Sequence, residues 1–230
     1  TGKDFYLTFG GGLGYPLKEK IDPQNHAVDL YPTLTNYSTQ FNVGFGMKVS
    51  DKIEVELGYL HNRKSFDDDA YDDAISFRYS DKYLYKRFDN SIEHYPDRFS
   101  ANIYQVRLNY VITFNKIIIT TTLAPGLGKW DQFNYKYILR QKNSNSYTEY
   151  ELDYKSKIHF IYYVGAKLAL KKWPNTRLSL NYTGDRSNHF YTVDSASSTG
   201  ITNSEKVNFS SYSNIFSLGI NFVVTFEKGQ

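Results

Sequence analysis

The chain has no cysteine. That excludes disulfides and any thiolate metal site, and it suits a protein that crosses an oxidising compartment. It also lacks any apolar run near the ~20 residues that a membrane-spanning helix needs. Neither sign of charge prevails: 27 Lys and Arg against 24 Asp and Glu leave +3 over 230 residues. No basic stripe is long enough to argue for nucleic acid. Helical periodicity is absent from every stretch of the chain. Thr1-Gly2-Lys3-Asp4 leads straight into a strand-like segment, and the expectation is a mature form whose export signal has been removed.

What the chain has is aromatic residues, 22 Tyr and 16 Phe, set in strict alternation. Phe216, Leu218, Ile220, Phe222, Val224 and Phe226 fall on one face of a strand, and Ser217, Gly219, Asn221, Val223 and Thr225 on the other. Tyr104, Val106, Leu108, Tyr110, Ile112 and Phe114 repeat the pattern against Gln105, Arg107, Asn109, Val111 and Thr113. Period 2 of this kind is the mark of a β-strand with unlike faces. Six further stretches share it: 5–15, 39–49, 53–61, 117 past 128, 148–170 and 177–191. The connections alternate in length. Ser50-Asp51-Lys52, Asn115-Lys116 and Lys171 to Thr176 are short; 16–38, 62–98 and 192–211 are long, and 143–146 sits atop a long hairpin. The short turns pair Phe114 with Ile117 and Val49 with Ile53, so the apolar faces agree across them.

These features predict an all-β protein of one domain, residues 1–230: an eight-stranded antiparallel up-and-down transmembrane β-barrel with long extracellular loops. A membrane barrel escapes the hydropathy test because only alternate residues are apolar and polar loops dilute the average. A soluble barrel with an apolar interior is the competing reading. Against it, the polar face is built from Gly, Ser, Thr, Asn and isolated charges, which suit a narrow lumen. The apolar face places Phe5, Tyr15, Tyr59, Tyr104, Phe114, Tyr162 and Phe226 toward strand ends, as aromatic girdles require. Both termini then lie with the short turns, on the periplasmic side.

The last strand, Ser217-Leu-Gly-Ile-Asn-Phe-Val-Val-Thr-Phe226, resembles the C-terminal signal that outer-membrane assembly machinery reads. With the architecture, it makes the whole chain resemble the OmpA/OmpX-like family of small outer-membrane barrels, of a Bacteroidota type. One departure is Glu227-Lys-Gly-Gln230 beyond the final aromatic. The resemblance implies a fold and an outer-membrane location, and no active site.

Inward parity collects Lys48, Glu54, Glu56, Arg107, Lys167 and Arg177, with His159 and several amides. Eight strands leave a lumen just wide enough for side chains, so these charges are expected to pair into a structural plug, with an ion pathway as the weaker alternative. For chemistry, Asp185, Ser187 and His189 share one face of a strand. Residues two apart on a strand are separated by ~6.5–7 Å along it, beyond hydrogen-bond reach, so no catalytic set is expected. The run Phe66-Asp-Asp-Asp-Ala-Tyr-Asp-Asp73 reads as solvated loop charge, with Ca²⁺ binding or bridging of lipopolysaccharide as alternatives. His26, His61, His94 and His159 are scattered, and no metal or cofactor is expected.

The hairpin 117–142/147–170 is too long to lie wholly in a bilayer, since ~9–11 residues suffice to span it. Its outer half is expected to project, with Asn143–Ser146 as the turn. That register sets Arg140 against Glu149 and Lys136 against Asp153, and leaves Phe133, Tyr135, Tyr137, Leu139, Tyr150, Leu152 and Tyr154 as an aromatic stripe. The stripe is the candidate partner-binding surface, because exposed apolar patches mark contacts and Tyr adds area at low entropy cost. Packing of loop 62–98 over it is the alternative. The expected function is a non-enzymatic surface binding protein, or an accessory subunit of a larger outer-membrane complex. The expected partners are outer-membrane lipids, lipopolysaccharide and other outer-membrane proteins. A rim-active enzyme acting on lipid A or surface peptides, or a narrow channel, stands as the alternative.

Overall fold

The computed structural model describes residues 4–21, 35–66, 73, 76, 77, 79–87, 98–130 and 133–226. The strands are β1 (Phe5–Ile21), β2 (Thr35–Lys48), β3 (Ile53–Phe66), β4 (Tyr83–Arg87), β5 (Arg98–Thr113), β6 (Ile117–Trp130), β7 (Phe133–Gln141), β8 (Tyr147–Ser156), β9 (His159–Leu170), β10 (Trp173–Ser197) and β11 (Thr202–Phe226). Eight of them, β1, β2, β3, β5, β6, β9, β10 and β11, close into an antiparallel barrel, because β11 pairs with β1 on one side and β10 on the other. The count of eight matches the expectation from alternation, but the strand expected over 148–170 divides into β8, which leaves the wall, and β9, which stays in it.

At the lower end the turns are tight. Val49 N–H donates to Ile53 O at 2.8 Å, and Phe114 and Ile117 exchange both backbone bonds at 2.9 and 3.3 Å. The third turn differs from expectation: Trp173 pairs with Leu170, and the chain bulges before pairing resumes at Leu178↔Leu168. Along every barrel strand the burial alternates, as in the BeBeBeBeBeBe pattern of β9. Leu13, Phe45, Leu57, Tyr104, Leu108, Leu168, Leu218 and Phe222 face outward and are exposed. Thr8, Glu56, Asn109, Thr122, Lys167, Asn181 and Asn221 face inward and are buried. An apolar belt around a polar, filled core inverts the pattern of a soluble barrel; it is a surface for lipid, and the chain is a membrane-spanning barrel.

Two corrections concern the upper end. The stretch 192–211 is no loop: β10 and β11 stay paired from Thr176↔Phe222 to Ala196↔Thr202. They turn at 198–201 through Gly200 at φ 83°, a left-handed conformation that glycine adopts without a Cβ penalty. The sequence there is polar on both faces, so alternation gives no signal, but pairing supplies its backbone bonds. Second, the hairpin after β6 does not continue the wall. β8 pairs with the upper part of β10, β7 with β8, and β4 with β7. The upper halves of β11 and β10 with β8, β7 and β4 thus form a five-stranded sheet above the barrel.

Candidate functional site: a filled lumen beneath a projecting sheet

In the lower lumen Arg107 Nη1 meets Glu56 Oε1 at 2.5 Å. Thr8 donates to the same carboxylate oxygen at 2.8 Å, and Asn109 Nδ2 to the other at 3.4 Å. Asn109 also donates to the Tyr6 hydroxyl at 3.4 Å and accepts from Thr122 at 2.6 Å. Arg177 approaches Glu54 at 3.8 Å, and since β10 and β3 stand four strands apart in the ring of eight, that pair crosses the barrel. Lys167 is buried beside them. Glycines make the room: a Cβ at Gly44 would strike the Glu56 carboxylate, and one at Gly58 the Arg107 guanidinium. Lys48, expected in this network, is instead half exposed at the lower mouth and pairs with Asp4 at 3.7 Å. It is the last residue of β2, so its long side chain reaches out of the barrel. A vestibule of about 810 Å³ opens there, lined by Asp4, Lys48, Glu54 and Arg177 among others.

Nearer the upper end the lumen turns apolar. Leu60, Ala101, Ile103, Ala124, Trp130, Ile161 and Tyr163 form one buried cluster, which the polar-inward rule did not anticipate. The signal was there in the inward parity of Leu60, Ile103 and Ile161. At the rim, Trp130 Nε1 donates to Asp185 at 2.7 Å, and His159 Nε2 lies 3.1 Å from the same carboxylate. Lys64 sits 4.6 Å above the Trp130 ring. His159 also contacts Lys157 O at 2.8 Å through Nδ1. His61 is elsewhere, on the outer surface, where it and Tyr59 share Asn102 Oδ1 at 3.0 and 2.6 Å.

In the projecting sheet, β7 and β8 exchange their faces relative to β6 and β9 of the wall beneath. Asp185 opposes Ile161, and both point inward; β10 then runs on without a break, and His189 opposes Ser156. The register has slipped by one, so Lys157-Ile158 is a β-bulge. Between Trp130 and Phe133 the phase changes likewise. The odd residues of β7 therefore lie on the inner side of the sheet, although odd residues of β6 face lipid.

This reverses the expected stripe. Tyr137 is 4% exposed and Leu139 3%. Tyr137 stacks on Tyr150 at 5.0 Å between ring centres and meets Tyr85 of β4 at 5.8 Å. Burial, and then the neighbouring Tyr79 and Tyr83, push the Tyr150 phenol upward in pKa. β4, from the stretch read as loop 62–98, pairs with β7 and sets Tyr85 beside this part of the stripe. Phe133, Tyr135, Leu152 and Tyr154 lie in the same strands, but their side chains are outside the described ones. The hairpin register also moves by two residues: Tyr137 opposes Tyr150 and Arg140 opposes Tyr147, because the turn residues are 142–145 and Gln141 N–H bonds Ser146 O at 3.0 Å. Lys136 accordingly pairs with Glu151, at 2.9 Å, not with Asp153. The outer side of the sheet carries Lys136, Ile138, Glu149, Glu151, Asp194 and Ala196, and a groove of about 480 Å³ follows it.

Of the expected rim set, Asp185 is buried and engaged by Trp130 and His159; the side chains of Ser187 and His189 are outside the described ones. So are His26, His94 and the acidic run except Asp73, which is exposed. No group of His, Asp and Glu that could hold a metal ion occurs among the described residues.

No family model matches the chain, and no curated protein matches it. Solved structures similar to it are small membrane barrels. One is a major outer membrane protein from Thermus thermophilus, 9% identical with a TM-score of 0.49, covering 97% of this chain and 100% of that one. Another is Neisserial surface protein A, at 12%, 0.41, 96% and 99%. A third is Ail, the attachment invasion locus protein of Yersinia pestis, at 12%, 0.37, 97% and 100%. At such identities the likeness is one of architecture.

Proposed function

We propose that the chain is an outer-membrane protein that acts without catalysis, as a surface binding protein or an accessory subunit of a larger assembly, through its projecting sheet. The termini and tight turns share the lower end, which faces the periplasm in this reading; the long strands and the sheet face outward, the usual outer-membrane arrangement. The observation that carries the proposal is the filled lumen below a built sheet. The ion pairs in the lower lumen and the apolar cluster above them argue against an aqueous path, which favours binding over transport. Five paired strands outside the bilayer are more structure than a loop needs. The stripe supports the sheet from within, and the contact surface is its outer side, with lipid headgroups and lipopolysaccharide directly beneath. Against a rim enzyme stands Asp185, whose carboxylate is already held by two partners.

The test places a photo-crosslinking residue at Ile138 or Ala196, on the outer side, and at Leu60 in the lumen, and irradiates intact cells. Adducts from the first two and none from Leu60 are expected. Changing Tyr135, Tyr137 and Tyr154 together to Ser should loosen the sheet and lower thermal stability while the barrel still folds. The reading fails if outer-side positions give no adduct, or if hydrolysis that depends on Ser187 and His189, or steady large conductance, is found.

A further inference from the structure

A proline interrupts the barrel wall. Across the β5–β6 seam, Gln105 pairs with Gly126 and Leu108 with Leu123 in one register, yet no pairing joins Val106 to Pro125 or Arg107 to Ala124. The phase of the ladder follows from the turn below, where Phe114 and Ile117 exchange both hydrogen bonds. In an antiparallel pair every second residue belongs to this bonded set, and counting up from Phe114 brings Val106 opposite Pro125 within it. Proline has no N–H. The Val106 carbonyl therefore faces a position with no donor, while on the far side of β6 the ladder to β9 runs unbroken through Pro125↔Tyr162. Prolines in sheets are confined to edges and bulges, and a bilayer interior offers no water to an orphaned carbonyl.

The lipid-facing surface at this seam is a groove of about 750 Å³, with Leu57, Tyr104, Leu127 and Phe160 along its sides and the backbone of Gly58 and Gly126 in its floor. Leu57 is 64% exposed and Tyr104 67%, so no described part of the chain covers it. Tyr104 pairs with the Tyr59 ring at 5.5 Å, an aromatic contact of the kind that marks the membrane interface. Val106 is the next outward residue below Tyr104, one step into the apolar belt.

We propose that this groove holds an acyl chain of a membrane lipid bearing a hydroxyl near its head, and that this hydroxyl donates to the Val106 carbonyl. A plain chain would fill the groove and leave the acceptor unsatisfied. Water would have to enter the belt. A hydroxylated chain meets both the apolar walls and the one acceptor, at the depth where the head end of a chain lies.

The experiment uses the full chain in phosphatidylcholine nanodiscs doped with either of two phosphatidylethanolamines, one with 3-hydroxymyristoyl chains and one with myristoyl chains. Native mass spectrometry reads lipid retention, and ¹³C-carbonyl valine labelling reads the hydrogen bond by infrared shift. Wild type should retain the hydroxylated lipid about fivefold better, the factor of one net hydrogen bond, with a labelled band moving to lower frequency for that lipid alone. Pro125→Ala restores the N–H, closes the ladder and should abolish both the preference and the shift. Leu57→Trp, at an exposed site that cannot disturb the lumen, should lower retention of both lipids by filling the groove. Equal retention of the two lipids by wild type, an undiminished preference in Pro125→Ala, or unchanged retention in Leu57→Trp overturns the proposal.

Discussion

The barrel wall and the projecting sheet are made of the same alternating strands, but β7 and β8 use the alternation in the phase opposite to β6 and β9, while β10 and β11 carry one phase through both. In β6 and β9, odd residues below Trp130 face lipid on one strand and the lumen on the other. In β7 and β8 the assignments exchange, on passing from β6 to β7 and after the irregularity at 157–158. The consequence is chemical. An aromatic face that would have lain over the lipid is instead folded inward onto Tyr79, Tyr83 and Tyr85, and a charged face looks out. One inserted residue per strand moves every side chain beyond it to the other face. The period of a strand pattern is thus a robust property of its residues, whereas its phase belongs to the backbone and can be reset by a bulge.

The largest expected effect tests what the wall does with its inward phase. Arg107→Met leaves the buried Glu56 carboxylate with hydrogen bonds from Thr8 and Asn109 only, and with buried Lys167 as the one cation still near it among the described residues. Stranding one member of a buried ion pair costs about 3–5 kcal/mol, read as a drop in unfolding free energy in urea with the barrel in bilayers. Combining it with Glu56→Gln should recover most of the loss. If the single change costs under about 1 kcal/mol, the pair does not carry the lower lumen.

The outward phase gives an intermediate effect and the sharpest contrast. Phe222→Arg and Leu108→Arg set a charge in the apolar belt, at about 2–4 kcal/mol near the bilayer midplane. Ala196→Arg places the same charge on the same outward side, but in the projecting sheet. There it should cost within about 0.5 kcal/mol. Equal costs at the three sites would mean that the belt is not in lipid or that the sheet is not outside it.

The barrel strands, their faces and two of the three tight turns were legible because each strand carries a long apolar alternation, as in 216–226 and 104–114. Glu54, Glu56, Arg107, Lys167 and Arg177 could be placed in the lumen by parity alone. Lys48 shared that parity, yet its position at a strand end lets it escape to solvent. The apolar storey of Leu60, Ile103 and Ile161 was visible in the same parity, but it runs against the rule that a membrane barrel is polar inside. The upper halves of β10 and β11 were illegible for a different reason. Thr192, Asp194, Ser195, Asn203 and Ser204 alternate nothing, and only the pairing of β10 with β11 and β8 makes them a sheet. The bulge at 157–158 and the change of phase between β6 and β7 leave no mark in composition, so the side on which Tyr137 lies could not be read from sequence.

The smallest effect is the most specific test of the projecting sheet, because it depends on a register shift of two residues that leaves every face unchanged. With Asn143–Ser146 as the turn, Lys136 would oppose Asp153; with residues 142–145, it opposes Glu151, at 2.9 Å. Both partners of the observed pair are about two-fifths exposed, so their coupling is small, about 0.2–1 kcal/mol, and screened by salt. A double-mutant cycle of Lys136→Ala with Glu151→Ala should show that coupling at low ionic strength and lose it at high. The parallel cycle of Lys136→Ala with Asp153→Ala should show less, since Asp153 opposes Asn134. The readout must be local, because the sheet can loosen without the barrel melting; amide exchange along β7 and β8 serves. If the Asp153 cycle gives the larger coupling, the turn at 142–145 is misplaced. The pocket on the sheet's outer side would then be lined by a different set of carboxylates.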